Sequence, residues 1–179
     1  MITAEELHKI MPFAKGRVEV FVDPLNAAMQ KFYIDNPMRE AAFIAQVSHE
    51  SGELRYVREL ASGSEYDTGK KAIALGNTPE DDDDGERYKG RGLIQVTGHD
   101  NYEKCGSALG LDLLAHPELL ELPVNACLSA AWFWQTHGLN GLADKPDFLL
   151  ITKRINGGTT GYAQRLDYYE RAKHVMGLA

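Results

Sequence analysis

Apolar residues recur at helical spacing along most of this chain. Near the N-terminus, Thr3 and Glu6 have the spacing of a capping box, and Leu7, Ile10 and Met11 share the helix face that follows. Later apolar stretches follow proline or Asn-Pro and stop at glycine, which are common limits of helices. Two of these stretches begin at Pro24 and at Asn36-Pro37. Four more follow, as the segments 100–109, 123–137, 146–155 and 164–175. The pattern predicts a mainly α protein.

Strand signals are few by comparison. The runs Val18–Val22 and Leu93–Val96 are the candidates for two short strands, although neither alternates cleanly between apolar and polar residues. Residues 62–86 are polar, are interrupted by glycine and proline, and include the acidic run Asp81–Asp84. A connection of this length is usually functional, so the segment is predicted to be a flexible lid or flap.

The composition is that of a soluble globular protein. With 179 residues, 44% of them apolar and 25% charged, we expect a single domain over residues 1–179, of a size that also accommodates two lobes. The net charge of −7 argues against general binding to nucleic acid or to anionic lipid, because both need a positive surface. No apolar run has the length of a membrane span, and the N-terminus lacks the pattern of a signal peptide. We therefore expect synthesis in a cytoplasm and no stable membrane insertion.

Two cysteines and two tryptophans are interpreted as core residues. Cys105 and Cys127 lack Cys-x-x-Cys spacing and cannot form a disulfide framework, so they are predicted to be buried free thiols. A single bridge between them stays an open alternative at this point. Trp132 and Trp134 lie in an apolar helical stretch, where packing in the core is more common than stacking on a sugar.

Two glutamates, Glu50 and Glu59, lie nine residues apart around a glycine. If one helix continued through both, the second would lie on the opposite face and roughly 13 Å further along the axis, too far for cooperation. Ser51-Gly52 interrupts the helical pattern after the first glutamate. A chain that bends there would bring the two carboxylates to opposite sides of one cleft, so the sequence predicts a bend at Ser51-Gly52.

Paired carboxylates of this kind fit the hydrolysis of a glycosidic bond. An inverting enzyme needs a protonated acid on the leaving oxygen and an ionised base that activates water, with the two groups roughly 6.5–9.5 Å apart. Glu50 follows a strongly apolar helix face and is the better candidate for an acid with a raised pKa. Glu59, nearer the polar segment, is the better base. The alternative is that both are solvated glutamates at helix ends.

A glycine-bracketed arginine follows downstream, in Gly90-Arg91-Gly92. The glycines allow close approach of the backbone, and Arg91 is predicted to orient a carboxylate through a bidentate interaction. In an extended segment, Gln95 and Thr97 would lie on one side, where an amide and a hydroxyl could bind sugar hydroxyls or hold a water. A buried strand capped by Thr97 is the alternative.

No metal or cofactor motif is complete. His49-Glu50 begins like a zinc protease motif, but Glu53 occupies the position of the second histidine. The acidic run before Gly85 resembles a calcium loop, but its twelfth position would be Arg91, which cannot bind calcium. We therefore expect no metal and no cofactor.

Together these motifs resemble glycoside hydrolase family 19, the chitinase-like fold of the lysozyme-like superfamily, and most closely its compact bacteriophage endolysins. The resemblance implies a mainly α domain with a cleft and little β structure, without a separate wall-binding domain. It implies Glu50 as the general acid, Glu59 as the general base and Thr97 as a residue that positions the attacking water. The residues it implies for substrate binding or support are His49, Tyr88, Arg91, Gln95, Asn101, Asn156 and Arg165.

The resemblance also implies a substrate and a setting. The absence of a signal peptide, the two cysteines and the short segment between Asn156 and Arg165 differ from plant chitinases. These departures favour cleavage of β-1,4 bonds in bacterial peptidoglycan, for host lysis, by a monomer. Such an enzyme would reach the wall after release by a holin-like partner. The alternatives are a chitinase acting on β-1,4-linked N-acetylglucosamine and a non-catalytic glycan-binding module.

Overall fold

The computed structural model describes residues 1–178, and almost all of its regular structure is helical. Its α-helices are α1 (Ala4–Ile10), α2 (Arg17–Lys31), α3 (Pro37–Glu50), α4 (Gly69–Leu75), α5 (Asp84–Arg87), α6 (His99–Leu109), α7 (Pro123–Thr136), α8 (Leu139–Ala143), α9 (Phe148–Asn156) and α10 (Tyr162–Val175). Short 3-10 helices lie at Ser64–Tyr66 and Pro117–Glu121. Within residues 1–178, β structure is limited to the isolated bridges Arg58–Arg91 and Arg91–Val96. The predicted mainly α class is confirmed.

Most of the predicted helices are confirmed, with their caps. Thr3 and Glu6 form the predicted capping box of α1. Asn36 caps α3 by accepting a hydrogen bond from the Arg39 amide at 3.0 Å. Gly110 ends α6 in a left-handed conformation, as a glycine cap usually does.

The predicted strand Val18–Val22 and the predicted helix start at Pro24 are both wrong. One helix, α2, runs through both segments. Val18, Phe21 and Leu25 are buried along one face of α2 at the three- and four-residue spacing of a helix. Burial of that face overrides the strand preference of the valines and the cost of about 3 kcal/mol for a proline inside a helix.

The remaining strand prediction, Leu93–Val96, is also wrong. These residues form a tight turn, closed where Arg91 and Val96 exchange backbone hydrogen bonds of 2.8 and 3.1 Å. The segment 62–86, predicted to be a flexible lid or flap, contains the first 3-10 helix, α4 and the start of α5. Asp67, which is 5% exposed, holds this segment together by accepting a hydrogen bond from the Gly85 amide at 2.8 Å.

A single hydrophobic cluster extends from α1 to α10. Its centre is formed by α3, which packs against α10, and by α7, which packs against α2. Trp134 is fully buried and meets Phe43 edge to face at 5.4 Å, as expected for a core tryptophan. Cys105 and Cys127 are buried free thiols, as predicted. Among the helices of residues 1–178, none combines the length and the apolar character that crossing a membrane requires.

Candidate active site

The predicted bend after Glu50 is confirmed. Helix α3 ends at this glutamate, and the next residues Gly52, Glu53 and Leu54 have φ of 55°, 58° and 64°. Three consecutive left-handed residues cannot continue a right-handed helix, so the chain turns away from the axis of α3. The segment that carries Glu59 therefore does not follow the axis of α3.

Side chains hold this turn in place. The Ser51 hydroxyl donates to the Val47 carbonyl at 2.6 Å and accepts from the Leu54 amide at 2.8 Å. The Glu53 carboxylate accepts from the Phe13 amide at 2.5 Å and from the Tyr168 hydroxyl at 2.8 Å. Glu53 is only 4% exposed, so its contact with Tyr168 is buried and its contact with Phe13 is partly buried. The two contacts connect the turn to two distant parts of the chain.

Glu59 is held by the glycine motif. Its amide donates to the Gly90 carbonyl at 2.9 Å, and the Gly90 amide donates to Glu59 Oε2 at 2.8 Å. A Cβ on Gly90 would lie 2.8 Å from Glu59 Oε2 and 2.6 Å from Gln95 Oε1. Only glycine therefore allows the carboxylate and the amide side chain to approach this backbone so closely.

Glu50 meets a buried arginine. Arg165 Nη1 lies 2.6 Å from Glu50 Oε1, and the guanidinium is 1% exposed whereas the carboxylate is 23% exposed. Arg165, which the resemblance implied as a substrate-binding or supporting residue, thus pairs with the Glu50 carboxylate. The carboxylate lies at the edge of the core, with its other side toward an open cleft.

The cleft has a volume of about 520 Å³. Its lining residues are Glu50, Tyr66, Ile94, Gln95, Thr97, Phe133, Ile155 and Asn156. A smaller pocket of about 110 Å³ shares Gln95, Thr97 and Phe133 with it and continues the cavity toward Asn101 and His137. The cleft therefore collects side chains from α3, from the turn 91–96, from α7 and from the end of α9.

Two neighbours of the carboxylates have shifted pKa values. Burial, and next the negative charges of Glu59 and Glu65, raise the pKa of Tyr66 to about 12. Tyr66 is therefore a neutral phenol beside Glu59 at neutral pH. Burial, and next the charge of Arg165, lowers the pKa of His49, so that its ring is neutral as well.

Four of the ten predicted site residues, Glu50, Gln95, Thr97 and Asn156, line the cleft, and Asn101 lines the smaller pocket. Gln95 and Thr97 both face the cleft, although they reach it from a turn and not from the strand that the sequence predicted. Asn101 lies behind Thr97 and donates to its carbonyl at 2.8 Å. Asn156, the last residue of α9, is exposed at the cleft. The ring of His49 lies 2.6 Å from Gln164 Oε1, on the α10 side.

Tyr88 and Arg91 are not part of the lining. Arg91 pairs with Glu121 at 2.9 Å and donates to Tyr102, so the carboxylate that it orients is neither Glu50 nor Glu59. Tyr88 is 5% exposed and donates to the Leu114 carbonyl at 3.3 Å. Both residues support the turn 91–96 from behind, because their polar groups find partners in the core.

Sequence reasoning missed three residues of the site. Tyr66 comes from the segment predicted to be a flap, where no local pattern marked it. Phe133 lies in a stretch predicted to be core, yet its ring reaches the cleft. Gln46 is fully buried and contacts Arg165. Its position one helical turn before Glu50 on an apolar face was a signal that the sequence did carry.

The arrangement suits acid–base chemistry on a polyhydroxylated substrate. One carboxylate, Glu50, lies on the cleft wall at the end of α3, where hydroxyl and amide side chains share the lining. The second, Glu59, is not itself a lining residue and is held against Gly90 beside the lining residue Gln95. These are the parts that an inverting displacement requires: an acid, a base, and hydrogen-bonding groups for water and sugar. In residues 1–178, no group of three or more His, Cys, Asp and Glu side chains is arranged to hold a metal ion.

Comparison with known proteins gives a consistent result. A family model described as "Chitinase class I", of glycoside hydrolase family 19, matches residues 34–152. A glycosyl hydrolase family 19 domain-containing protein of Haemophilus influenzae is 32% identical over 198 residues, covering 94% of each chain. An endochitinase of Arabidopsis thaliana is 35% identical over 145 residues, which cover 77% of this chain and 48% of that protein. The chain thus spans about half the length of the plant relatives it matches.

The fold is that of solved family 19 chitinases. Chitinase C from Streptomyces griseus superposes with a TM-score of 0.77 at 22% identity, over 98% of this chain and 76% of that one. Another bacterial family 19 chitinase gives a TM-score of 0.79 at 24% identity, over 99% and 96% of the two chains. The carboxylates, the cleft and these matches agree, and the chain belongs to glycoside hydrolase family 19.

Proposed function

We propose that this glycoside hydrolase cleaves β-1,4 bonds of bacterial peptidoglycan by an inverting mechanism. Glu50 donates a proton to the glycosidic oxygen while Glu59 removes a proton from the attacking water. Thr97, at the junction of the cleft and the smaller pocket, orients that water. The observation that carries the mechanism is the bend after Glu50, since it allows two carboxylates of neighbouring sequence to act on one bond.

The open end of the cleft supports peptidoglycan as the substrate. Only five residues connect Asn156 at the end of α9 to Tyr162 at the start of α10, and most of them are exposed. A peptidoglycan strand carries a peptide on every second sugar, so it needs a cleft without long covering loops. We further propose that the enzyme acts as a monomer on the cell wall during host lysis, after release from the cytoplasm by a holin-like partner.

Chitin is the second candidate substrate. Relatives from several plants are named endochitinases, and they match three quarters of this chain at 30–35% identity. Their substrate has the same β-1,4 linkage and the same N-acetyl groups, without the peptide substituents. The two substrates therefore differ in what the cleft must accommodate and not in the chemistry at the bond.

Product analysis separates these candidates. Purified peptidoglycan and soluble chitin oligomers would each be incubated with the enzyme, with release of reducing ends followed and the products identified by mass spectrometry. The proposal expects faster cleavage of peptidoglycan and products that end in a single type of amino sugar. Cleavage of chitin oligomers but not of peptidoglycan would show that chitin is the substrate. If neither material released reducing ends, the protein would be a non-catalytic glycan-binding module.

The roles of the carboxylates are tested by substitution. Glu50→Gln and Glu59→Gln should each lower kcat at least about 100-fold, because loss of a general acid or base costs about that much. Glu103→Gln, on the exposed face of α6, removes the same charge away from the cleft and should keep full activity. Near-full activity in either of the first two variants would refute the mechanism.

A further inference from the structure

A buried polar chain lies behind Glu50, in the contact between α3, α9 and α10. Gln46 and Thr152 are fully buried, and Arg165 is 1% exposed. Gln46 Nε2 lies 2.9 Å from the Thr152 hydroxyl, and Arg165 Nη1 lies 2.6 Å from Gln46 Oε1. Three uncharged or cationic groups thus lead from the core to the carboxylate at the cleft.

The direction of these hydrogen bonds is fixed. The Thr152 hydroxyl donates to the Phe148 carbonyl at 3.0 Å, so its oxygen is left to accept. It accepts from the amide nitrogen of Gln46, which turns the amide oxygen toward Arg165. Gln46 therefore presents an acceptor, and not a donor, to the guanidinium.

Gln46 and Glu50 both approach the same nitrogen of Arg165. Arg165 Nη1 carries two N–H groups and lies 2.6 Å from an oxygen of each residue, but only Gln46 Oε1 lies in the direction of an N–H group and accepts a hydrogen bond. Among residues 1–178, Glu50 Oε1 finds no hydrogen-bond partner although it is buried. Glu50 therefore has the electrostatic attraction of the arginine without the hydrogen bond that would most strongly stabilise a carboxylate.

We propose that Gln46 is a positioning residue that takes the Arg165 hydrogen bond and so allows Glu50 to alternate between its acid and carboxylate forms. When Glu50 is protonated, Gln46 Oε1 and the Thr160 carbonyl, 3.2 Å from Nε, still satisfy the buried guanidinium. When Glu50 has given up its proton, the nearby positive charge stabilises the anion. This inference rests on the proposed role of Glu50 as the general acid.

Few other charged groups act on Glu50. His49 is its neighbour in sequence, Tyr66 lines the same cleft, and Glu59 lies next to Tyr66. From α10, Arg165 is the group that faces it, whereas the next polar side chain, Tyr168, is bonded to Glu53. α8 has no titratable residue, and α9 contributes the neutral hydroxyl of Thr152. A substitution of Gln46 should therefore change the pKa of Glu50 mainly through Arg165.

Two substitutions should move the pKa of Glu50 in opposite directions. Methionine has nearly the same shape as glutamine but lacks its amide oxygen. In Gln46→Met, Arg165 therefore loses its neutral acceptor and can donate to Glu50, so the pKa of Glu50 should fall by about 1 or more. In Gln46→Glu, a second anion pairs with Arg165 and repels the first, so the pKa should rise by about 1 or more. A role in packing alone would give no opposite shifts.

The measurement is a pH titration of protein labelled with ¹³C at glutamate carboxyl carbons. The Glu50 signal would be identified by its loss in Glu50→Gln. Gln30→Glu is the matched control, because this substitution adds the same negative charge as Gln46→Glu. Gln30 is exposed on α2 and lies near the N-terminal end of α3, away from Glu50. It should leave the pKa of Glu50 unchanged. Thr152→Val, which frees the Gln46 amide to turn, should lower the pKa of Glu50 by less than Gln46→Met does. If Gln46→Glu does not fold, an unchanged or raised pKa of Glu50 in Thr152→Val overturns the inference.

The pH–rate profile gives the second readout. The alkaline limb, which reports loss of the acid's proton, should move to lower pH in Gln46→Met and to higher pH in Gln46→Glu. Equal pKa values of Glu50 in wild type and both variants, or shifts in the same direction, would overturn the inference. Full activity of Glu50→Gln would instead overturn the proposed function, because the titration in the free enzyme does not depend on catalysis.

Discussion

Glu53 is expected to control the bend on which the two-carboxylate site depends. It combines a left-handed backbone, with φ of 58°, and a carboxylate that is 4% exposed. Its two oxygens accept from the Phe13 amide at 2.5 Å and from the Tyr168 hydroxyl at 2.8 Å. Glu53→Ala removes both acceptors and leaves the buried Tyr168 hydroxyl and the partly buried Phe13 amide without these partners.

The size of the effect follows from these contacts. A hydrogen bond to a charged group contributes about 1.5–3 kcal/mol, and part of that is returned because a carboxylate no longer has to be buried. We expect Glu53→Ala to lower the free energy of unfolding by about 3 kcal/mol in total. Glu53→Gly should cost about 1 kcal/mol less, because glycine adopts a positive φ without a steric penalty.

Urea unfolding and thermal melting would measure these changes. For a protein of this size, about 3 kcal/mol corresponds to a fall in Tm of about 6–12 °C. Tyr168→Phe removes one of the two bonds and should cost about 1.5 kcal/mol alone, but little when combined with Glu53→Ala, because their shared contact is already lost. Glu103→Ala, at an exposed glutamate on α6, should stay within about 0.5 kcal/mol of wild type.

Activity should fall with stability in this series. A loosened turn lets Glu59 move relative to Glu50, and a displacement of about 1 Å can cost about 100-fold in rate. We therefore expect kcat of Glu53→Ala to fall even at temperatures where the variant is folded. Wild-type stability of Glu53→Ala, or additive effects in the double variant with Tyr168→Phe, would refute the reasoning.

Two further predictions concern the neighbours of the carboxylates. Because the pKa of His49 lies below its ordinary value of 6.5 in the folded state, the unfolded chain binds the proton more readily, and stability should fall as pH drops below 6.5. His49→Gln should remove that part of the decline between pH 7.5 and 5.5 in urea unfolding, and an unchanged pH dependence would contradict the shift. Gly90→Ala should lower kcat at least about tenfold by displacing Glu59, whereas Gly141→Ala in α8, with open space around its Cβ, should not.

Local sequence patterns determined the helices wherever the caps, the glycine ends and the apolar repeat indicated the same boundaries. The capping box at Thr3, the cap at Asn36 and the glycine at 110 act within a few residues of the chain, so their outcome can be read without knowledge of the rest. The position of the bend after Glu50 belongs to this class, because Ser51-Gly52 ends the apolar repeat, whereas the contacts of Glu53 with Phe13 and Tyr168 that hold the turn are long-range. Where local signals conflicted, as along Val18–Val22, burial of one face decided for helix.

The tertiary structure decided which polar groups meet. That Arg91 pairs with Glu121 and Arg165 with Glu50 depends on how helices far apart in sequence pack, because the residues around each arginine do not specify its partner. The same holds for Tyr66, brought to the cleft by a segment that the sequence predicted to be a flap. The sequence alone therefore determined the helical class and the position of the bend between Glu50 and Glu59. The partners of the carboxylates were decided by long-range packing, because hydrogen bonds and charges act over distances that only the folded chain defines.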